Sequence, residues 1–425
     1  MIKSSAEVII VGSGAAGSTI AKELAGRGRK IIIIEKGKFA GYLGNEIRAS
    51  AYYEGSPLLV RSKSGVMFHY TKNLGGSTVF SCGNAVRGSL DIFLRFGIDL
   101  RRELAETEEE LSVMPVDKKL IGQKGTKDFY DAAINLGYKI DYMPKFMKKG
   151  MCSLCGKCVL GCPNNARWTA VDYVDFAIGK GALVEHAVVE KVIIKNNKAI
   201  GVLAKQGKKQ VTIYADKIVL AAGGLNSPVI LQKSGLSAGK KLFCDLFNVT
   251  YAVSLKDGMF RDLSMSLVDM EFFKNDGFII SPFMDPIILF LIIFNKFLPF
   301  YLLKYKNVVG IEVKIKDDMI GSVSSDGRIQ KIVTADDSKK ISKGVEIAKD
   351  ILNHMPIDKR TINTTILRGA HPGGTSAIGE VVDCNLQTGV KGLYVCDASV
   401  LPEALGLPPI ITLIALSKWF VKTQF

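Results

Sequence analysis

The residues with the sharpest chemical signature are three glycines, Gly12, Gly14 and Gly17, spaced GxGxxG directly after an apolar run at residues 6–11 and ahead of an amphipathic stretch. Such spacing supplies a tight turn at Gly12, a bare backbone at Gly14 for a pyrophosphate to approach, and a close helix–strand contact at Gly17. Glu35, which closes the next apolar run, is placed to accept hydrogen bonds from a ribose, and an acidic residue there disfavours a 2′-phosphate. Strand, spacing and acid together predict a dinucleotide-binding βαβ unit.

Two further groups could do chemistry. Cys152, Cys155, Cys158 and Cys162, followed by Pro163, have the CxxCxxCxxxCP spacing of a ferredoxin segment. Thiolates at such intervals can wrap soft iron. In two-cluster ferredoxins the fourth cysteine serves a different cluster, so a single run leaves open a 4Fe-4S cluster with another ligand, a 3Fe-4S cluster, structural zinc, or unligated thiols. The other cysteines, Cys82, Cys244, Cys384 and Cys396, are scattered, and the clustering speaks for a metal site rather than a disulfide framework. His371 stands in RGAHPGGTSAIG, where an imidazole can take a hydroxyl proton while hydride leaves the same carbon. His69, His186 and His354 have no such setting.

These residues need elements to hold them. Residues 6–35 read as strand, glycine turn, helix and strand, and residues 73–88, NLGGSTVFSCGNAVRG, as an irregular functional loop. Residues 91–147 are helical and charged, either a cap over a cleft or a solvated helical pair. VVEKVIIKNNKAIGVLAKQ predicts a hairpin turning at the Asn pair, and KIVLAAGGLNSP a buried strand entering a glycine turn. Residues 245–345, with alternating patterns such as NVTYAVSL and VVGIEVKIKDD, read as an inserted second domain. Within it PIILFLIIF, residues 286–294, is too short to span a bilayer. It is either a buried core element or, with the following FLPFYLLKYK, an interfacial patch. A last strand, glycine turn and helix close the chain.

At 425 residues the chain can bury a large core, and its length suggests two or three domains, or two interleaved ones. Its net charge of +15 attracts an anionic membrane surface or an acidic electron carrier such as ferredoxin, unless it is only a lysine-rich surface. No nucleic-acid motif accompanies it, so no nucleic-acid partner is expected. The first residues lack a signal-peptide layout, which implies a cytoplasmic protein, peripheral at the inner face of the membrane if the apolar stretch is an interfacial patch.

Taken in order, VGSGAAGS with Glu35, NLGGST, CGKCVLGCPNNARWT, VLAAGGLNSPVILQKSG and HPGGTSAIG through GLYVCDASVLP resemble the glucose-methanol-choline (GMC) oxidoreductases. The resemblance implies an α/β protein, a Rossmann-like FAD-binding domain with an inserted α+β substrate domain built on an antiparallel sheet. The FAD-binding domain would be discontinuous, residues 1–90, 150–245 and 350–425 with the cysteine segment, and the substrate or cap domain residues 91–149 and 246–349. It further implies FAD held by Gly12, Gly14, Ala15, Gly17, Glu35, Gly75, Gly76, Ser77, Thr78, Val184, Ala222, Gly223, Asp397, Ala398 and Pro409, with His371 catalytic at the flavin's reactive face. The implied reaction is oxidation at C–OH of an alcohol, polyol or lipid-like substrate, with hydride passing to the flavin. Some members of the family carry an iron–sulfur cluster in a segment similar to residues 152–162 that passes electrons on to an acceptor rather than to oxygen, so the resemblance implies a dehydrogenase whose electrons leave through an iron–sulfur cluster.

The chain departs from the family pattern at three points. Where a second catalytic Asn or His usually stands it reads Leu407, Pro408, Pro409, and Pro408 cannot do acid–base work. The usual Arg-Met after the histidine motif is Ala377-Ile378, and the chain is shorter than most members. His371 then acts alone, or the reaction is instead saturation or desaturation of a carbon–carbon bond in an isoprenoid or other lipid, or the chain is an electron-transfer subunit. The loop NLGGST has no histidine, so no covalent flavin linkage is expected.

Overall fold

β-Branched runs pack well on a pleated surface, and IKSSAEVIIV and IIIIE form adjacent parallel strands, Ile2–Val11 and Ile31–Glu35, in the computed structural model. The structure describes residues 2–54, 60–121, 124–293 and 298–425. These two strands lie inside a seven-stranded sheet, with Leu183–His186 outside Ile31–Glu35 and Lys209–Leu220 on the other flank of Ile2–Val11, all parallel. Lys209–Leu220 continues into the antiparallel strands Lys198–Gln206 and Val188–Lys195, and its far end pairs in parallel with Leu393–Val395. Residues 31–34 are at most 1% exposed, and burial of each such isoleucine contributes about 1.5–3 kcal/mol. The expected hairpin turns at Asn196 and Asn197, both with positive φ, the conformation a two-residue turn between twisted strands demands.

The helix Ala15–Gly26 packs between Ala170–Gly179 and the C-terminal helix Ile410–Gln424. Of the charged region after residue 90, the helix Arg101–Glu110 lies against Ile410–Gln424, tied by Lys418–Glu110 (2.7 Å) and Lys422–Glu103 (2.9 Å). It therefore braces the C-terminal helix.

The second seven-stranded sheet has Val308–Ile315 and Leu246–Ser254 antiparallel at its centre, Phe278–Pro282 on one side, and the short strands Arg368–Gly369, Met67–Phe68 and Val60–Arg61 on the other. Ile357–Thr364 also pairs with Leu246–Ser254. The helix Ala335–Asn353, started by a Thr334–Asp337 capping box, covers one face of this sheet. The other face looks toward the glycine turns. The described part of the apolar stretch is a short helix, Ile287–Ile293, that buries Leu289, Phe290 and Ile293; Phe294 and the residues to 297 lie outside the described residues. Among the described residues no helix is long and apolar enough to cross a membrane.

Candidate active site

Between the two sheets lies a cavity of about 520 Å³. Its floor is the glycine turn after Ile2–Val11. Gly12 has φ +101°, and a Cβ there would stand 2.3 Å from the Ala221 carbonyl oxygen; a Cβ on Gly17 would stand 2.1 Å from the Gly12 carbonyl oxygen. At Gly14 the space is open, and the helix it precedes has no side-chain cap. Its first N–H groups therefore face the cavity as anion donors.

Glu35 is more heavily used than a ribose acceptor alone would be. Its Oε2 accepts from the Ser13 N–H (3.0 Å) and hydroxyl (2.7 Å), and its Oε1 from the Gly37 N–H (2.8 Å). Ser13 Oγ in turn accepts the Gly75 N–H at 3.0 Å, so acid, turn and second glycine loop form one unit. Gly75 and Gly76 both have positive φ. The Thr78 hydroxyl donates to the Gly75 carbonyl (2.6 Å) and accepts the Ala170 N–H (3.0 Å). Asp397 is buried and accepts from the Gly223 N–H (2.8 Å), the Ser227 hydroxyl (2.5 Å) and the Ser399 N–H (2.8 Å); burial nonetheless pushes its carboxyl above the usual range.

Of the expected cofactor residues, Gly12, Gly14, Ala15, Glu35, Gly76, Ser77, Thr78, Ala222, Gly223, Asp397, Ala398 and Pro409 line the cavity. Gly17 and Gly75 stand behind the wall as packing positions. Val184 is not on this wall: it pairs with Ile33 from the edge strand of the sheet, and the wall is formed further on by Ala187, Val188 and Val189. These bare backbones and orphan donors fit the elongated, doubly anionic shape of a dinucleotide.

His371 and Pro408 also line the cavity. The His371 Nδ1 lies 2.9 Å from Asp245 Oδ2, and Asp245 is fully buried. A carboxylate can only accept, so Nδ1–H donates and Nε2 is left as the ring nitrogen for a substrate proton. Asp245 is held by the Gly406 N–H (2.9 Å) and by its own N–H to Asp317 (2.7 Å), which pairs with buried Lys331 at 2.8 Å. Sequence reading missed this aspartate, whose partner is 126 positions away.

It also passed over a polar wall on the second sheet. Glu312 and Lys314, both buried, line the cavity with their charged atoms 4.0 Å apart. Arg368 grips Asp285 with two bonds of 2.9 and 2.8 Å, and the Tyr251 hydroxyl donates to the same carboxylate at 2.7 Å. His69 lies on the wall as well. Burial, assisted by the Arg368 guanidinium, pushes its pKa down to about 3, so its imidazole is neutral near pH 7. Phe247, Met265, Phe283 and Leu289 add apolar side chains to the lining.

The four clustered cysteines are not on the wall, although Val159 between them is, with its carbonyl accepting from the Tyr53 hydroxyl at 2.7 Å. Cys152 is within electrostatic reach of the other three, and burial raises the Cys152 and Cys158 thiols. Arg167 donates to the Cys158 carbonyl at 3.1 Å. Among the described residues, however, no three His, Cys, Asp or Glu side chains are gathered to hold a metal ion. As they stand, the four thiols do not form a closed metal site.

The chain belongs to the GMC oxidoreductases, whose N-terminal family model matches residues 6–248 and C-terminal model residues 324–417. It is an FAD-dependent oxidoreductase, with a Rossmann-like FAD-binding domain and a substrate domain. An uncharacterised protein of Methanocaldococcus jannaschii is 35% identical over 97% of this chain and 98% of its own length. A GMC-type oxidoreductase of Mycobacterium tuberculosis, also uncharacterised, is 26% identical over 97% of this chain and 74% of its own. A long-chain-alcohol oxidase of Arabidopsis thaliana is 23% identical over 97% and 67%. Among solved structures, pyridoxine 4-oxidase from Mesorbium loti superposes with a TM-score of 0.75 at 16% identity over 99% of both chains. Formate oxidase of Aspergillus oryzae does so at 0.73 and 14%, over 99% of this chain and 98% of that one.

Proposed function

We propose that the protein oxidises an alcohol at its carbinol carbon, with His371 taking the hydroxyl proton as the carbon gives up hydride. The observation that carries this reading is the Asp245–His371 pair beside the cavity, because an oriented base serves C–OH oxidation directly. FAD supplies, when bound, the acceptor of that hydride. Gly14 and Ala15 would bind the pyrophosphate through the helix N-terminus, with Gly76, Ser77, Thr78, Ala222, Gly223, Asp397, Ala398 and Pro409 along the remainder of the cofactor and Gly12, Gly17 and Gly75 shaping the turns. Pro408 leaves His371 to do the acid–base work alone. Phe247, Met265, Phe283 and Leu289 exclude water and favour a substrate with a hydrocarbon body, in keeping with relatives named long-chain-alcohol oxidases. Anaerobic mixing with such alcohols should bleach the flavin and yield a carbonyl product. A two-hydrogen gain in a lipid, with no carbonyl formed, would overturn the assignment in favour of double-bond saturation.

The spacing of Cys152, Cys155, Cys158 and Cys162, and their nearness to the cavity wall at Val159, support an iron–sulfur exit toward an acidic carrier such as ferredoxin. Iron would have to draw the four thiols together, since they form no metal site as they stand. Iron and acid-labile sulfide in anaerobically prepared protein are the test, and absence of both removes the idea. Exposed Phe300 and Leu303 beside Lys304 and Lys306, on a chain of net charge +15, support docking on an anionic membrane surface.

A further inference from the structure

Glu312 and Lys314 alternate along the strand Val308–Ile315, so their side chains leave the same face of the sheet, and both line the cavity. They are 4% and 2% exposed. Among the described residues Glu312 Oε2 has no hydrogen-bond partner, and Lys314 Nζ stands 4.0 Å from it, beyond hydrogen-bond length. A buried carboxylate oxygen left without a donor is costly. A ligand that supplies the donor recovers that cost.

The charge of the pair selects the ligand. An ammonium attracted by Glu312 is repelled by Lys314, and a carboxylate meets the reverse, so a charged group gains little from the two together. A neutral hydroxyl donates to the carboxylate and accepts from the ammonium, satisfying both without adding charge. The position sets the reach. Lys314 lies opposite Phe247 and Glu312 opposite Val249, two and four residues along the strand from Asp245, or about 7 and 13 Å at about 3.3 Å per residue. Phe247, which lies opposite Lys314, and Met265 and Leu289 supply apolar lining to the same cavity.

We propose that Glu312 and Lys314 form a subsite for a second, remote hydroxyl of the substrate, which is therefore an amphiphilic alcohol with a hydroxyl at each end of a hydrocarbon segment. The inference rests on the alcohol reading above, and the test separates the two. FAD-loaded enzyme is titrated anaerobically with α,ω-diols of graded length and with the 1-alkanol of each length, affinity being read from perturbation of the flavin absorption and oxidation from its bleaching. The best diol should bind about tenfold tighter than its alkanol, the worth of one hydrogen bond to charged groups. The double variant Glu312→Gln/Lys314→Met removes the pair together, which avoids stranding a buried charge, and should erase the diol's advantage while leaving alkanol affinity unchanged. Equal affinities in the native enzyme, an advantage that survives in the double variant, or no perturbation by either ligand would each overturn the subsite. Selective diol binding without bleaching would keep the subsite and overturn alcohol oxidation instead.

Discussion

His371 is useful as a base in one tautomer, and Asp245 selects it. Replacing Asp245 by Asn, whose amide can donate to Nδ1 and turn a protonated Nε2 toward the substrate, should lower kcat roughly 10²-fold or more with little change in KM. Stopped-flow flavin reduction checks this, and an unchanged rate would make Asp245 merely structural. His69 makes the stability of the fold depend on pH. Its folded pKa of about 3 lies below its ordinary 6.5, so as pH falls the unfolded chain takes up the proton first. Stability is then fully present above 6.5 and is lost on acidification toward 3. Between pH 6.5 and about 4.5 the loss is about 2 kcal/mol, and urea unfolding of His69→Phe should show a pH dependence shallower by that amount. His371 was legible from its glycine-rich surroundings; Asp245 and His69 were not, since neither sits in a local pattern that distinguishes it from an ordinary loop or strand residue.

Among the elements, the first glycine turn tolerates least change. At Gly12 a methyl group would meet a backbone oxygen and force an L-residue to φ +101°, so Gly12→Ala should cost several kcal/mol and abolish FAD retention. Absorbance of the purified variant and its melting temperature report both. The apolar stretch divides in a way its composition does not announce. Leu289 and Phe290 are buried, whereas Phe300 and Leu303 of the helix Leu298–Leu303 are exposed. Sedimentation with anionic liposomes should therefore weaken in the double variant Phe300→Ser/Leu303→Ser, with flavin content retained. Replacement of Leu289 would instead disturb the cavity wall. Unchanged sedimentation would remove the membrane surface as a partner. The hairpin at Asn196 and Asn197 was readable because turn chemistry is local. Which side of a short apolar helix faces inward depends on the neighbours it meets.

For the whole molecule, FAD bridges elements far apart in the chain, from Gly14 to Pro409 in the proposed arrangement, and should stabilise them jointly. At a free concentration a hundred times its Kd it adds about 2.7 kcal/mol to the unfolding free energy. Comparison of urea midpoints for apo and loaded protein checks this, and loss of the shift on Gly12→Ala would tie it to the cavity. The sequence by itself determined the family, the dinucleotide turn and the likeness of residues 152–162 to a ferredoxin segment, because each is written in spacings of a few residues. Only the tertiary structure decided that Asp245 stands behind His371, that Glu312, Lys314 and His69 share one wall, and that Val184 lies off it. It also decided that the four thiols, correctly spaced, form no closed metal site as they stand. Such meetings follow from the register of strands that are distant along the chain. Spacing specifies the order of residues on a strand, and packing specifies what each of them faces.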